Sequence, residues 1–98
     1  MEGYPGDCDL STSVGKYARR HNPFLSFTSV TDSAARCAHV VPAAELARDV
    51  ADDDLPQFTF YAPDTDHSGH TTSTNAGARW LFLFLRPLLA NPHFATNT

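Results

Sequence analysis

The order of apolar and polar positions divides the chain into aperiodic stretches and short patterned ones. Residues 1–29 show no convincing period. Gly3, Pro5, Gly6, Asp7, Asn22, Pro23 and several Ser and Thr punctuate them, so they read as mostly loop, with room for a short helix around Tyr17–Arg20. Residues 31–40 fit a short helix: Thr31, Asp32 or Ser33 can cap it, and Ala34, Ala35, Arg36, Cys37 and Ala38 follow. Val40 and Val41 then favour extended chain, and Pro42 restricts Val41 away from helix. Pro42–Asp52 reads as a better helix, with Pro42 in its first turn and Leu46 and Val50 four apart on one face. Asp52, Asp53 and Asp54 cluster where the helix dipole disfavours acids, which ends it.

Gln57–Ala62 is the clearest strand. Phe58, Thr59, Phe60 and Tyr61 are aromatic or β-branched, and Pro56 and Pro63 bound them. Their apolarity does not alternate, which predicts cover on both faces, as in a parallel sheet. Pro63–Thr72 is a polar loop. A long helix is predicted from about Ser73 to Leu89, capped by Thr72, Ser73 or Thr74, with Trp80, Leu83, Phe84 and Leu88 as its apolar stripe. Leu81, Leu85 and Leu89 widen that stripe, so this helix needs cover on more than one side. Pro87 is expected to kink or end it, and Asn91-Pro92 marks the exit.

The fold class is therefore α/β, mostly helices and loops with one clear strand (57–62) and a long C-terminal helix (about 73–89). A single strand leaves its backbone donors and acceptors without partners on both edges. The chain is expected to be a section of a larger domain, or to pair with another chain.

Length and composition sharpen this. Ninety-eight residues are one domain at most, and a chain of that size buries only a modest core. Hydrophobic residues at 42% and charged residues at 18% are a globular composition. A net charge of −4 argues against nucleic acid as a partner. The start Met1-Glu2-Gly3-Tyr4-Pro5 lacks the basic and apolar segments of a secretory signal. The apolar run Trp80–Leu85 is far short of the ~20 residues of a membrane span. Two cysteines, Cys8 and Cys37, are too few for a disulfide scaffold; they can form one bridge or stand as two unrelated thiols.

Candidate chemistry concentrates in loop 63–72, which holds Asp64, Asp66, His67 and His70. Its place after the strand is where open α/β sheets bind ligands. Carboxylates and imidazoles converging there can hold a metal ion. Alternatively, an imidazolium and the free N–H groups of the following helix can hold a phosphate. A third reading is a solvated turn whose Asp and Ser side chains cap backbone groups. The spacing His67-x-x-His70 has no companion Cys or His pair, so it is weak evidence for structural zinc. Arg19, Arg20, His21 and Asn22 form a second cluster that can bring cations to a phosphate, or simply make a surface turn. Asp52–Asp54 reads as a solvated helix end sooner than as a metal site. No Gly-x-Ser-x-Gly elbow, phosphate-binding Gly-rich loop or paired-Cys zinc motif is present.

Several strings together resemble one family. Tyr17-Ala18-Arg19-Arg20-His21-Asn22-Pro23-Phe24, Leu55-Pro56-Gln57-Phe58-Thr59-Phe60 and the loop from Pro63-Asp64 to Gly69-His70-Thr71-Thr72-Ser73 are similar to its successive blocks. Trp80-Leu81, Phe84-Leu85, Pro87-Leu88-Leu89, Asn91-Pro92 and Phe94 resemble its next helix, and Tyr4-Pro5 with Cys8 its lead-in. This is the phosphoesterase group of fungal secreted acid phosphatases and bacterial phospholipases C, whose fold is related to alkaline phosphatase.

The resemblance implies metal-assisted hydrolysis of phosphate esters, with a divalent metal ion in the complete enzyme. It implies that His70, and more weakly His21, contact phosphoryl or leaving-group oxygens, within a phosphate-binding loop that includes Asp66, His67, Thr71 and Thr72. Thr71 stands where the family usually has Asp, and Ser68 where an Asp often sits. Cys8 and Cys37 fall where the fungal proteins carry cysteines, which implies a bridge. The nucleophile and metal ligands are expected outside residues 1–98. On this reading the chain is an internal fragment of one phosphoesterase domain, inactive alone, binding no metal by itself and needing the missing parts of the domain as its partner. Its full-length relatives would be secreted. The alternatives are a non-catalytic vestigial or small binding protein from a truncated gene, and, behind both, a free-standing metal-binding domain using His67 and His70.

Overall fold

The computed structural model describes residues 1–97. Helices and loops dominate, with one two-stranded antiparallel sheet and a long C-terminal helix. β1 (Ser13–Val14) and β2 (Tyr17–Ala18) pair Ser13 with Ala18 and Val14 with Tyr17. Two 3-10 turns follow, Arg19–His21 and Pro23–Ser26. Then come α1 (Thr28–Thr31), α2 (Ala34–Cys37), α3 (Ala44–Ala51), α4 (Thr74–Ala90) and α5 (Pro92–Asn97).

Local chemistry explains most of these limits. Ser33 caps α2 by accepting from the Arg36 amide at 3.4 Å. Ser73 caps α4 by accepting from the Ala76 amide at 3.2 Å. α3 stops at the Asp run, where Asp53 turns left-handed at φ 54°. Asn91 ends α4 and opens α5, its Oδ1 accepting from the amides of His93 and Phe94 at 2.9 and 3.3 Å.

Several expectations are corrected. Residues 57–62 form no strand: Gln57 and Phe58 bend, 59–62 take no regular structure, and none of the described residues offers them a ladder. Their one backbone bond in this region is the Glu2 amide donating to the Ala62 carbonyl at 3.0 Å. The cover expected on both faces is missing too: Phe58 is 74% exposed. The helix expected near Tyr17–Arg20 is instead β2 running into a 3-10 turn, since Tyr17 and Ala18 pair with β1 and bury both side chains. The short helix read within 31–40 is present as α2, Ala34–Cys37, behind Ser33. Of the two effects expected of Pro87, the ending of α4 is excluded, since the helix continues to Ala90. The missing N–H faces the carbonyl of exposed Leu83, where solvent can take the donor's place.

The core is small. Met1, Tyr4, Tyr17, Leu25, Cys37 and Ala62 make one buried cluster, with Cys8, Phe24 and Val40 packed against it. A disulfide joins Cys8 to Cys37, Cα to Cα 5.7 Å, tying the leading loop to α2. Tyr61 packs on Trp80 and Phe84 of α4 with ring centroids at 6.1 and 4.6 Å, but α4 contributes no fully buried residue. The stripe expected on α4 is thus only partly used, for Leu83 is 55% exposed and Leu89, which widens it, 61%. The accessible surface is 6745 Å², against roughly 5500 Å² for a compact monomer of this mass. The radius of gyration is 14.3 Å, against about 12.6 Å for a compact domain of this length. The chain is flattened, 38 × 33 × 16 Å along its principal axes. No helix among the described residues is long and apolar enough to cross a membrane.

Candidate phosphate site

Loop 63–73 is built by its own side chains. Asp64 Oδ1 accepts from the amides of Asp66 and His67 at 3.0 and 2.9 Å, an Asx turn that starts the loop. The Thr71 hydroxyl reaches Asp66 Oδ1 at 2.6 Å and the Thr65 carbonyl at 2.9 Å. The Thr72 hydroxyl donates to the Asp66 carbonyl. Gly69 turns the chain at φ +75°. The loop is docked on the β1–β2 turn by Thr65, whose amide and hydroxyl donate to the Lys16 carbonyl at 3.0 and 3.1 Å. Lys16 Nζ then pairs with Asp66 Oδ2 at 3.2 Å. The Thr71 hydroxyl, and after it Lys16, hold the Asp66 carboxyl below its ordinary range.

His70 sits at the tip. Arg20, fifty positions earlier, places its guanidinium 3.2 Å from His70 Nε2. Arginine can only donate, so Nε2 accepts and the remaining ring proton lies on Nδ1. His21 faces His70 edge-on, with ring centroids at 6.1 Å. His21, Ala62, Pro63, Ser68, Gly69 and His70 line one shallow hollow. The structure thus joins His21 and His70 beside Ala62 and Pro63, at the carboxyl end of segment 57–62, with the Arg20 guanidinium against His70. Guanidinium and imidazole N–H groups are donors that charge-assisted anion binding uses.

The other loop residues do different work. The carboxyl of Asp66 and the hydroxyls of Thr71 and Thr72 are spent inside the loop, so they shape it rather than face the hollow. His67 does not line the hollow. Its Nδ1 lies 2.9 Å from Glu2 Oε1 and 3.4 Å from Asp64 Oδ1. Its ring stacks on Trp80 at 5.0 Å and 11°.

Glu2, Asp64 and His67 each offer one ligand atom, all within 4.8 Å of one another. These atoms already bond each other and the backbone: Glu2 Oε2 accepts from the Asp64 amide at 2.9 Å, and Asp64 Oδ1 takes two amides. The trio stands here as a closed hydrogen-bonded knot. The Asp52–Asp54 run is exposed, with Asp53 3.3 Å from His93 Nδ1.

Glu2, Lys16 and Gly77 were not singled out from the sequence. Glu2 and Lys16 meet the loop from 62 and 49 positions away, which no local pattern signals. Gly77 lies where a Cβ would come within 3.3 Å of the Gly69 nitrogen and the His67 carbonyl. A glycine inside a helical pattern was the one available signal.

Residues 3–98 match the model of the phosphoesterase family. The chain belongs to this family. Among curated relatives of this phosphoesterase chain, a probable acid phosphatase of Kluyveromyces lactis is 33% identical over 87 residues, covering 89% of the chain and 21% of the relative. The phosphate-repressible acid phosphatase of Penicillium chrysogenum is 32% identical over 96 residues, covering 98% and 23%. The phosphatidylinositol-3-phosphatase of Mycobacterium tuberculosis is 32% identical over 80 residues, covering 82% and 25%. The chain therefore spans about a fifth to a quarter of the length of these relatives. No solved structure matches it significantly.

Proposed function

We propose that this chain is the phosphate-contacting section of a phosphate ester hydrolase of acid phosphatase type, in an alkaline-phosphatase-like domain. One observation carries the reading: His21 and His70, far apart in sequence, line one hollow, with the Arg20 guanidinium bonded to His70 beside it. His70 Nδ1–H and the Arg20 guanidinium bind phosphoryl oxygens and offset their charge, and His21 flanks them. Asp66, Thr71 and Thr72 hold the loop that presents His70. A phosphate oxygen accepting from Arg20 also frees His70 Nε2 to take a proton, which suits His70 to proton transfer toward a leaving oxygen.

The nucleophile and the residues for a divalent metal belong to parts of the domain outside 1–98, and so do any residues that choose the substrate. Those parts would also cover Phe58 and the outer face of α4. Secretion of the whole protein is part of the same proposal, drawn from the named fungal relatives. The reading is tested by titrating inorganic phosphate into the chain at low ionic strength while following the histidine ring resonances by NMR. His70 and His21 are expected to shift together and His39 and His93 to stay. Equal shifts of all histidines, or none, would overturn it. The chain alone is expected to leave aryl phosphates intact, with or without added divalent metal.

A further inference from the structure

The feature left over by the phosphate reading is His67. It does not line the hollow, its side chain is 39% exposed, and three elements converge on its ring. Glu2 comes from the leading segment, Asp64 from the start of the loop, and Trp80 from α4. Trp80 is itself backed by Phe84, with centroids 4.9 Å apart, and by Tyr61.

We propose that His67 is the positioning residue of the 64–72 loop, whose protonated ring fastens the loop at once to Glu2 and to the indole face of Trp80 and so sets His70 beside His21. The geometry is that of a cation with two kinds of partner. Nδ1–H points into a pair of carboxylates, and the ring plane lies nearly parallel to the indole, whose negative face attracts a cation. The neutral ring keeps one N–H but loses the charge to which both partners respond.

The groups around it agree on the sign. Glu2 and Asp64 touch the ring, and Asp66 adds negative charge on the same loop, offset by its own pairing with Lys16. From segment 57–62, the Tyr61 hydroxyl is pushed up to about 12 by burial, then by Glu2 and Asp64, so it stays neutral here. The bond to Glu2 raises the His67 imidazole above its ordinary 6.5. Because the folded value is raised, this fastening is fully present below 6.5 and fades as pH rises through the folded value.

Trp80 is the chain's one tryptophan, so its emission reports on His67 directly. A protonated imidazole stacked on indole quenches it. The experiment follows Trp80 emission and His67 ring resonances against pH in the unsubstituted chain, in Glu2→Gln and in His67→Gln, with amide exchange of residues 66–71 alongside. The expected result is one emission step with its midpoint above 6.5, matched by the His67 resonance and by faster loop exchange, after correction for intrinsic rates, on the high-pH side. Glu2→Gln should return the midpoint toward 6.5, and His67→Gln should abolish the step. A midpoint at or below 6.5, an unmoved midpoint in Glu2→Gln, a step that survives His67→Gln, or loop exchange indifferent to the transition would each overturn the proposal. The unsubstituted chain supplies the His67 titration even if a variant fails to fold. No phosphate enters the test, so its failure would leave the phosphate reading standing, and the converse holds as well.

Discussion

The amide nitrogen of Gly69 lies 3.3 Å from the point where a Cβ on Gly77 would sit, so loop 63–73 rests directly on the backbone of α4. The His67 carbonyl is equally close. Gly77 therefore matters by having no side chain, and its cost to helix propensity, ~1 kcal/mol relative to Ala, is the counterpart of this approach. Gly77→Val puts three carbons where the loop backbone stands, and its β-branch is also poor in a helix. It is expected to lower stability by about 1–3 kcal/mol, the usual range for overpacking, measured by urea unfolding. Amide shifts should concentrate at residues 67–70. Changes confined to α4 would show that the loop is not seated there.

The disulfide ties the leading loop to α2. Cys8 and Cys37 are 29 positions apart, and closing a loop of that size stabilises by ~3–4 kcal/mol in the chain-entropy model. It adds to the burial of Met1 and Tyr4 and to the bonds of Glu2 that hold the same segment. Reduction is expected to move the urea midpoint down by an amount of that order, or to unfold the chain outright at 37 °C. An unchanged midpoint under dithiothreitol would contradict the assignment.

What could be read in the sequence and what could not divide along sequence distance. The long helix was legible because its cap, Ser73, and its apolar run are local signals, and α4 does begin at Thr74. The end of α3 at the Asp run was equally local. Residues 57–62 have the right propensity for a strand, but a strand is defined by its neighbour, and no neighbour is present among the described residues. β1–β2 was missed for the opposite reason: two residues a side leave almost no pattern to read. At the candidate site, His70 and His21 were singled out by type and resemblance, and the fold brings their rings together. That Asp66 is spent on Thr71 and Lys16, and His67 on Glu2 and Trp80, depends on contacts that only the folded chain creates.

Asp66 gives a pH dependence opposite in sense to that of His67. Its carboxyl is held below the ordinary 3.8 by the Thr71 hydroxyl and then by Lys16. A lowered folded value means that its contribution is present above 3.8 and is lost as pH falls through the lower folded value. The carboxylate is at the surface, so the effect belongs to loop order more than to global stability. Asp66→Asn is expected to speed exchange of the Thr71 and Thr72 amides at neutral pH and to remove the acid step from that exchange. The Lys16 share should fade in high salt while the Thr71 share persists. Exchange in Asp66→Asn that matches the unsubstituted chain would show that Thr71 holds the loop without it.

Arg20 separates an anion site from an incidental contact of exposed side chains. Its guanidinium donates to His70 Nε2 at 3.2 Å and so fixes which ring nitrogen carries the proton. In Arg20→Gln the fork and its charge are gone, while His21 and His70 remain. If Arg20 and His70 share one phosphoryl group, loss of a charge-assisted bond of ~1.5 kcal/mol or more should weaken binding of inorganic phosphate about tenfold or more. The same substitution should release the tautomer, which nitrogen-15 shifts of the His70 ring report without any ligand. Arg20→Lys keeps the charge but not the planar fork, and should recover only part of the affinity. Unchanged phosphate binding with an altered tautomer would leave Arg20 as an orienting neighbour of His70 only. Changes in both would place the guanidinium on the phosphate.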